Sequence, residues 1–274
     1  MERRPEVVDA LAQFPFGRFL LRNRGWNGYW TDYVMEHPGR GRVTGKDPDG
    51  RSLTPLEKSM LDDFLIVRAT QQRARIAAAE IQKRVKDGAV LASLPCGLMR
   101  DLLGRDYGGI RDIRLVGIDL DPETLDQARR LAADYGLSQF AEFHRADAWD
   151  LPFQDAFDVL ASAGLNIYET DDERVTRLYA RFFKALSPGG TLVTSFFTCP
   201  PRVDPRSEWD LERIDAEALL LETIVTIDVL NGRYQGYRSS STTRAQLTAA
   251  GFTDIDLIWD DARMFPSVVA RKPV

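Results

Sequence analysis

The alternation of short β-branched segments with helical patterns from Ala89 onward constrains the fold of this chain more than any other feature. Such alternation indicates βαβ units, whose parallel strands form a sheet covered by helices. We predict seven strands, at 89–94, 113–119, 139–144, 157–162, 191–197, 253–259 and 266–271. The predicted helices between them lie at 98–104, 122–135, 172–186 and 243–250.

The segment before the first strand has a different character. Residues 1–53 are rich in aromatic residues, Gly and Arg, and a capping box at Thr54 to Glu57 predicts a long helix that ends at Asp87-Gly88. The sequence therefore divides into a helical, aromatic extension at 1–88 and a sheet domain at 89–274. Residues 200–240 interrupt the sheet pattern, and we expect an insertion there with a helix at 207–222.

The composition favours a small molecule as the partner. The 274 residues carry a formal charge of −5 without a long basic stripe, so little is available to neutralise a nucleic-acid backbone. No run of 18 apolar residues occurs and the start shows no secretory cleavage pattern, so we expect a cytoplasmic protein without a membrane partner. Two cysteines and two histidines are too few for a zinc site, and we expect no metal.

Two strand ends carry residues that nucleotide-binding folds use. The first strand runs into a turn from Ser93 to Met99 that contains Gly97, and the second strand ends at Asp119. An acid about twenty residues beyond a strand-to-helix turn is where such folds bind ribose hydroxyls. Asp119 is thus the candidate for that contact.

The order of these motifs, followed by Asp147-Ala148 after the third strand, resembles the class I S-adenosylmethionine-dependent methyltransferases. The closing stretch at 243–273 is also similar to the end of small-molecule members, and the resemblance covers about 89–273. It implies an α/β, Rossmann-like fold with a seven-stranded, mostly parallel sheet flanked by helices, and S-adenosylmethionine as cofactor. The residues that it implies for cofactor binding are Ser93, Pro95, Cys96, Gly97, Asp119, Leu120, Asp147, Ala148 and Ala163.

The turn after the first strand departs from the family pattern. Ser93 stands where the family has an acid that helps to hold the cofactor's ammonium group, and Pro95 and Met99 stand where it has glycines. Because a neutral residue removes a nearby negative charge, we expect the cofactor's amine to deprotonate more readily here.

The catalytic candidates lie after the fourth strand and in the N-terminal extension. Asn166 and Tyr168 are similar to the Asn-Pro-Pro-aromatic motif of amino methyltransferases, although both prolines are missing. Tyr29 and Tyr33 lie four residues apart and share one face if that segment is helical. Each has a structural alternative, a turn for Asn166 and core packing for the tyrosines.

We expect the extension at 1–88 to act as a lid over the cofactor and its acceptor. The long helix carries four neighbouring polar residues, Gln71, Gln72, Arg73 and Arg75. An Arg there can bind the cofactor's carboxylate, but we expect most of the four on a solvated face.

Three functions remain open at this point. The main hypothesis is methyl transfer to a small metabolite. The alternative is a cyclase, in which the cofactor's own α-amine attacks its γ-carbon to form azetidine-2-carboxylate and release methylthioadenosine. The third is a sensor that binds S-adenosylmethionine without turnover. The partner is accordingly a small-molecule substrate or the cofactor itself.

Overall fold

The computed structural model describes residues 4–274. The helices that precede the sheet are α1 Arg4–Ala12, α2 Pro15–Asn23, α3 Gly28–Glu36, α4 Gly41–Thr44, α5 Pro55–Asp62 and α6 Leu65–Gln82. The predicted long helix is wrong in one respect, because it breaks between α5 and α6 at Phe64, whose backbone is extended (ψ 130°) and whose side chain is 1% exposed. Burial of this ring in the core compensates for the interrupted helix.

The sheet is built as predicted, with seven strands. These are β1 Ala89–Ser93, β2 Ile113–Asp119, β3 Ala141–Arg145, β4 Phe157–Ser162, β5 Leu186–Ser195, β6 Thr253–Ile258 and β7 Ser267–Arg271. Their order is β3-β2-β1-β4-β5-β7-β6, and only β7 runs antiparallel to its neighbours. The strands β1 and β4 are apolar and largely buried because helices cover both faces of a parallel sheet.

β5 begins earlier than the predicted strand at 191–197. Leu186 already pairs with Phe157, and after a register shift Thr191 pairs with Val159. The Pro188-Gly189-Gly190 segment is therefore an irregularity inside the strand.

The remaining helices are α7 Arg100–Leu103, α8 Pro122–Asp134, α9 Asp172–Ala185, α10 Ala216–Thr223 and α11 Ser240–Ala249. The predicted helix at 207–222 starts too early, because Asp215 caps α10 by accepting hydrogen bonds from the amides of Glu217 and Ala218. α10 continues into a π-helix at Ile224–Val229.

The insertion and the N-terminal helices form one unit. Leu11, Phe14 and Phe16 of the extension share a buried core with Val225 and Leu230 of the insertion. Because neither segment buries its apolar face alone, each depends on the other for its fold. Among residues 4–274, no helix has the length and apolar character needed to cross a bilayer.

Candidate active site

A cavity of about 500 Å³ lies at the carboxyl end of the sheet. Its floor is formed by Gly97 after β1, Asp119 at the end of β2, and Ala163 after β4. The strand order changes direction between β1 and β4, and open α/β sheets bind ligands at such a switch point. The roof of the cavity is formed by α3 and α6.

The turn after β1 has a left-handed backbone at two positions. Gly97 and Met99 both have a left-handed backbone, with φ of +51° and +60°. Met99 therefore adopts the conformation of the glycine that it replaces, at a cost of about 1 to 2 kcal/mol. A Cβ added to Gly28 of α3 would lie 2.8 Å from the Gly97 Cα, so the roof rests directly on this turn and Gly28 requires the lack of a side chain.

Asp119 lies in the cavity wall, as the sequence predicts for a ribose ligand. Its Oδ2 accepts the Gly97 amide hydrogen at 3.1 Å, and its Oδ1 accepts that of Asp121 at the same distance. Burial raises the pKa of this carboxyl group. These contacts orient a carboxylate that still has free lone pairs for a pair of hydroxyls.

The negative charge that Ser93 lacks is supplied by another residue. Asp101, the second residue of α7, lines the same cavity, and its Oδ2 accepts a hydrogen bond from the Ser93 Oγ at 2.7 Å. An ionised Asp101 would oppose the easier deprotonation of the cofactor's amine that Ser93 alone predicts. Burial raises the pKa of Asp101, and the hydrogen bond from Ser93 opposes that shift.

The other residues predicted for the cofactor separate into two groups. Pro95, Cys96 and Ala163 line the cavity, whereas Leu120, Asp147 and Ala148 do not. Leu120 is 59% exposed beside the end of β2. The Asp147 carboxylate accepts the Trp149 amide hydrogen at 3.0 Å and caps a short 3₁₀ helix, so its side chain has a structural role.

Asn166, predicted as a catalytic residue, does not line the cavity. The side chain is 3% exposed, and its Nδ2 donates to the Tyr179 hydroxyl and to the Ser195 carbonyl, both at 2.8 Å. The amide thus ties the turn after β4 to α9 and β5. This is the structural alternative that the sequence left open.

Tyr168, two residues further on, does line the cavity. Its hydroxyl accepts the Trp26 amide hydrogen at 3.4 Å, and burial of the hydroxyl raises its pKa. The ring packs edge-on against Tyr234 with centroids 6.4 Å apart. Tyr168 therefore presents an aromatic surface to a bound molecule.

Tyr29 and Tyr33, also predicted as catalytic residues, do not line the cavity. α3 turns another face to the cavity, the one that carries Gly28, Thr31 and Met35. Tyr33 is 5% exposed and its hydroxyl donates to Glu57 at 2.9 Å, whereas Tyr29 is 38% exposed and packs against Trp30. The tyrosines do share a side of the helix, but that side faces away from the cavity.

The wall also contains Arg73, which the sequence named only as one of four polar residues of the long helix, and Asp32 and Arg100, which the sequence did not indicate. Arg73 is 6% exposed, whereas the sequence favoured a solvated face for its segment. The sequence signal for Arg73 as a wall residue was its place on the same helical face as Thr70 and Ala77. Asp32 and Arg100 form an ion pair with 2.9 Å between Oδ2 and Nη2, which fastens α3 to the start of α7.

Comparison with known proteins agrees with this geometry. Residues 94–190 match the family described as a methyltransferase domain. The chain is 44% identical to a protein from Bordetella parapertussis described as a possible exported protein, with a TM-score of 0.92, and the match covers 100% of this chain and 88% of that one.

Two further solved structures share the fold at low identity. The S-adenosylmethionine-dependent methyltransferase SibL has a TM-score of 0.57 at 18% identity, covering 89% of this chain and 70% of its own. The CurJ carbon methyltransferase has the same TM-score at 14% identity, covering 98% of this chain and 71% of its own.

Fold and site together define an S-adenosylmethionine-binding protein of Rossmann-like architecture. Residues 94–190 are a methyltransferase domain, and this domain implies S-adenosylmethionine as the cofactor.

Proposed function

We propose that this protein transfers the methyl group of S-adenosylmethionine to a small-molecule acceptor. The proposal rests on one observation. A single cavity beneath α3 and α6 contains the predicted cofactor residues at the ends of β1 and β2 and also extends over β4 and β5. A cavity of about 500 Å³ lies in the range of sites for small molecules.

The residues present fit the cofactor. Asp119 is oriented for the ribose hydroxyls, the Gly97 turn allows close backbone approach, and Asp101 offers a carboxylate to the ammonium group. Bound S-adenosylmethionine supplies an activated methyl group on its sulfonium. The aromatic face of Tyr168 would stabilise positive charge there, and the roof would exclude water.

No histidine lines the cavity among the described residues: His37 is hydrogen-bonded to Asp62, and His144 lies on the edge strand β3, two strands from β1. Catalysis then rests on alignment and desolvation of an acceptor that needs little help with a proton.

Two of the features that favoured the cyclase are absent from the site. The Asn166 Nδ2 donates to Tyr179 and Ser195, and its Oδ1 has no partner among the described residues but does not line the cavity. Asp101, when ionised, favours a protonated, non-nucleophilic amine. Methyl transfer to a separate acceptor is therefore the function that the site supports best.

The test is to incubate the protein with methyl-labelled S-adenosylmethionine, with and without a small-molecule cell extract, and to identify the products by mass. Label in a small product together with S-adenosylhomocysteine is the expected result. Methylthioadenosine and a cyclic amino acid from the cofactor alone would indicate the cyclase, and binding without either product would indicate the sensor.

A matched variant checks the cofactor site independently of the acceptor. Asp119→Asn should weaken S-adenosylhomocysteine binding by about 1.5 to 3 kcal/mol in calorimetry, because it removes hydrogen bonds to a charged group. Asp112→Asn, at the exposed loop before β2, should leave the dissociation constant unchanged. Equal affinity for all three proteins would remove Asp119 from the site.

The predicted cytoplasmic location is a separate proposal, to be checked by cell fractionation. The relative from Bordetella parapertussis is described as a possible exported protein, so recovery from the exterior of the cytoplasm is the outcome that would contradict it.

A further inference from the structure

Arg73 is a buried cation without an acidic partner. Its side chain lines the cavity from α6, and no carboxylate of residues 4–274 lies within 4.0 Å of its guanidinium. Its Nη1 donates to the Ser195 Oγ at 3.2 Å, its Nε–H has no acceptor among these residues, and one face stacks on Phe265 at 4.0 Å. The carboxylate whose charge acts on Arg73, that of Asp260, already accepts the amide hydrogens of Met264 and Phe265.

This arrangement is costly unless a ligand balances it. Burial lowers the pKa of Arg73 to about 10, so the side chain stays charged at neutral pH. A desolvated charge is unfavourable without a counter-charge or a full set of hydrogen bonds, and only one of the five guanidinium donors has a protein acceptor. The missing partner is therefore an anion that enters the cavity.

The position of Arg73 separates this anion from the cofactor's own groups. Asp119 and Asp101 mark the β2 and β1 side of the cavity, whereas Arg73 contacts Ser195 at the end of β5 and Phe265 just before β7. With about 4.8 Å between neighbouring strands, β5 lies roughly 14 Å from β2 in this sheet. Arg73 thus lies at the end of the cavity farthest from Asp119, where its Nη1 also approaches Gly164 of the turn after β4.

The walls around Arg73 describe the rest of that acceptor. Tyr168, Tyr234 and Ile66 line the cavity beside it, and Tyr234 and Ile66 also border a second, mainly apolar cavity of about 440 Å³ in the insertion. An apolar or aromatic body bearing one anionic group matches these surfaces.

We propose that Arg73 binds the anionic group of the methyl acceptor, which is a small carboxylate or similar anion with an apolar body. This inference rests on the proposed function, because it assigns the half of the site not used by the cofactor. Arg73 is then a specificity residue for the acceptor.

The experiment uses ¹⁹F NMR on protein saturated with S-adenosylhomocysteine, which fills the cofactor half. The probes are 4-fluorobenzoate and its neutral isostere 4-fluorobenzamide. Native protein should bind the benzoate saturably and at least about tenfold more tightly than the amide, because a charge-assisted bidentate contact is lost in the amide. Arg73→Met should abolish this preference and Arg73→Lys should retain part of it. Arg68→Met, on the exposed side of the same helix, is the matched control and should behave as native protein.

Calorimetry of S-adenosylhomocysteine with each variant separates the possible failures. Unchanged affinity in Arg73→Met shows that the variant is folded and that Arg73 does not serve the cofactor. If that variant instead loses about tenfold in S-adenosylhomocysteine affinity, Arg73 holds the methionine carboxylate and the proposal is overturned. Equal binding of both probes, or no binding of the benzoate, also overturns it. Failure of native protein to bind S-adenosylhomocysteine would contradict the proposed function itself.

Discussion

Ser93 and Asp101 show that the carboxylate of a binding site can come from a different position in the sequence and still lie in the same cavity. The family's acid at the end of β1 is absent, but the Ser93 hydroxyl orients Asp101 from α7 into the same cavity. A short polar side chain and an acid eight residues later thus replace one longer acidic residue. Charge at a binding site is set by spatial neighbours, which a motif comparison along the chain does not report.

This exchange predicts which part of the cofactor Asp101 recognises. Asp101→Asn should weaken S-adenosylhomocysteine by about tenfold or more, because it removes a charged partner of the ammonium group. The same change should leave methylthioadenosine, which lacks the amino-acid end, within about twofold of native affinity. Calorimetry with both ligands measures the difference, and an equal loss for the two would assign Asp101 a structural role.

A second prediction concerns Asn166. Asn166→Ala should lower the free energy of unfolding by about 1 to 3 kcal/mol, because it leaves the buried Tyr179 hydroxyl and Ser195 carbonyl without their partner. The affinity for S-adenosylhomocysteine should stay unchanged. Urea unfolding and calorimetry test both parts, with the exposed Asn23→Ala as control. A large loss of cofactor affinity at full stability would restore Asn166 to the site.

The sequence was informative about elements and less so about which way their side chains face. The alternation from Ala89 onward predicted every strand of the sheet, since local apolar runs and turn residues decide strands. Tyr29 and Tyr33 were misplaced because a helical face is chosen by tertiary packing against Gly97, a contact about seventy residues away in sequence. The break before α6 escaped notice for a similar reason, since its stabilising partner lies in the insertion.

That partner is Glu222 of the insertion, and it links the insertion to the N-terminal helices. Its carboxylate accepts the amide hydrogens of Leu65 and Ile66, the first residues of α6, so the insertion caps the helix that carries Arg73. A helix N-terminus with unpaired amides is unfavourable in a buried setting. The long-range cap therefore explains why α6 can begin at a buried position.

The cap makes stability depend on pH. Burial raises the pKa of Glu222 to about 7 from 4.5, so the folded state favours the protonated form more than the unfolded state does. Its contribution is full below about pH 4.5 and is lost as the pH rises through about 7. Over this window the free energy of unfolding should fall by on the order of 3 kcal/mol from this group.

Urea unfolding of native protein and Glu222→Gln at a series of pH values measures this effect. The variant cannot ionise there, so its stability should change less across the window, whereas Glu217→Gln on the exposed side of α10 should follow native protein. Identical pH profiles for native protein and Glu222→Gln would contradict the raised pKa.

At the scale of the whole molecule, the N-terminal helices are both a structural layer and a cover. Leu11, Phe14 and Phe16 belong to the core that the extension shares with the insertion, so removing the extension would unfold that core as well. A deletion therefore cannot separate a role in closing the site from a role in folding. Breaking the Asp32–Arg100 ion pair is a more selective test, because this pair joins α3 to the start of α7 without contributing to that core.

We predict that α3 opens to admit the cofactor and closes over it. Saturating S-adenosylhomocysteine should slow hydrogen exchange in α3, since Gly28 and Asp32 rest on the turn that the cofactor contacts. Asp32→Asn should speed exchange in α3 of the free protein and weaken this protection, because the partly buried ion pair is broken. Glu142→Gln removes the exposed pair with Arg114 at the distant edge of the sheet and should leave α3 unaffected. Hydrogen exchange followed by mass spectrometry reports each segment separately, and α3 exchange that is the same with and without ligand would show that the roof is fixed.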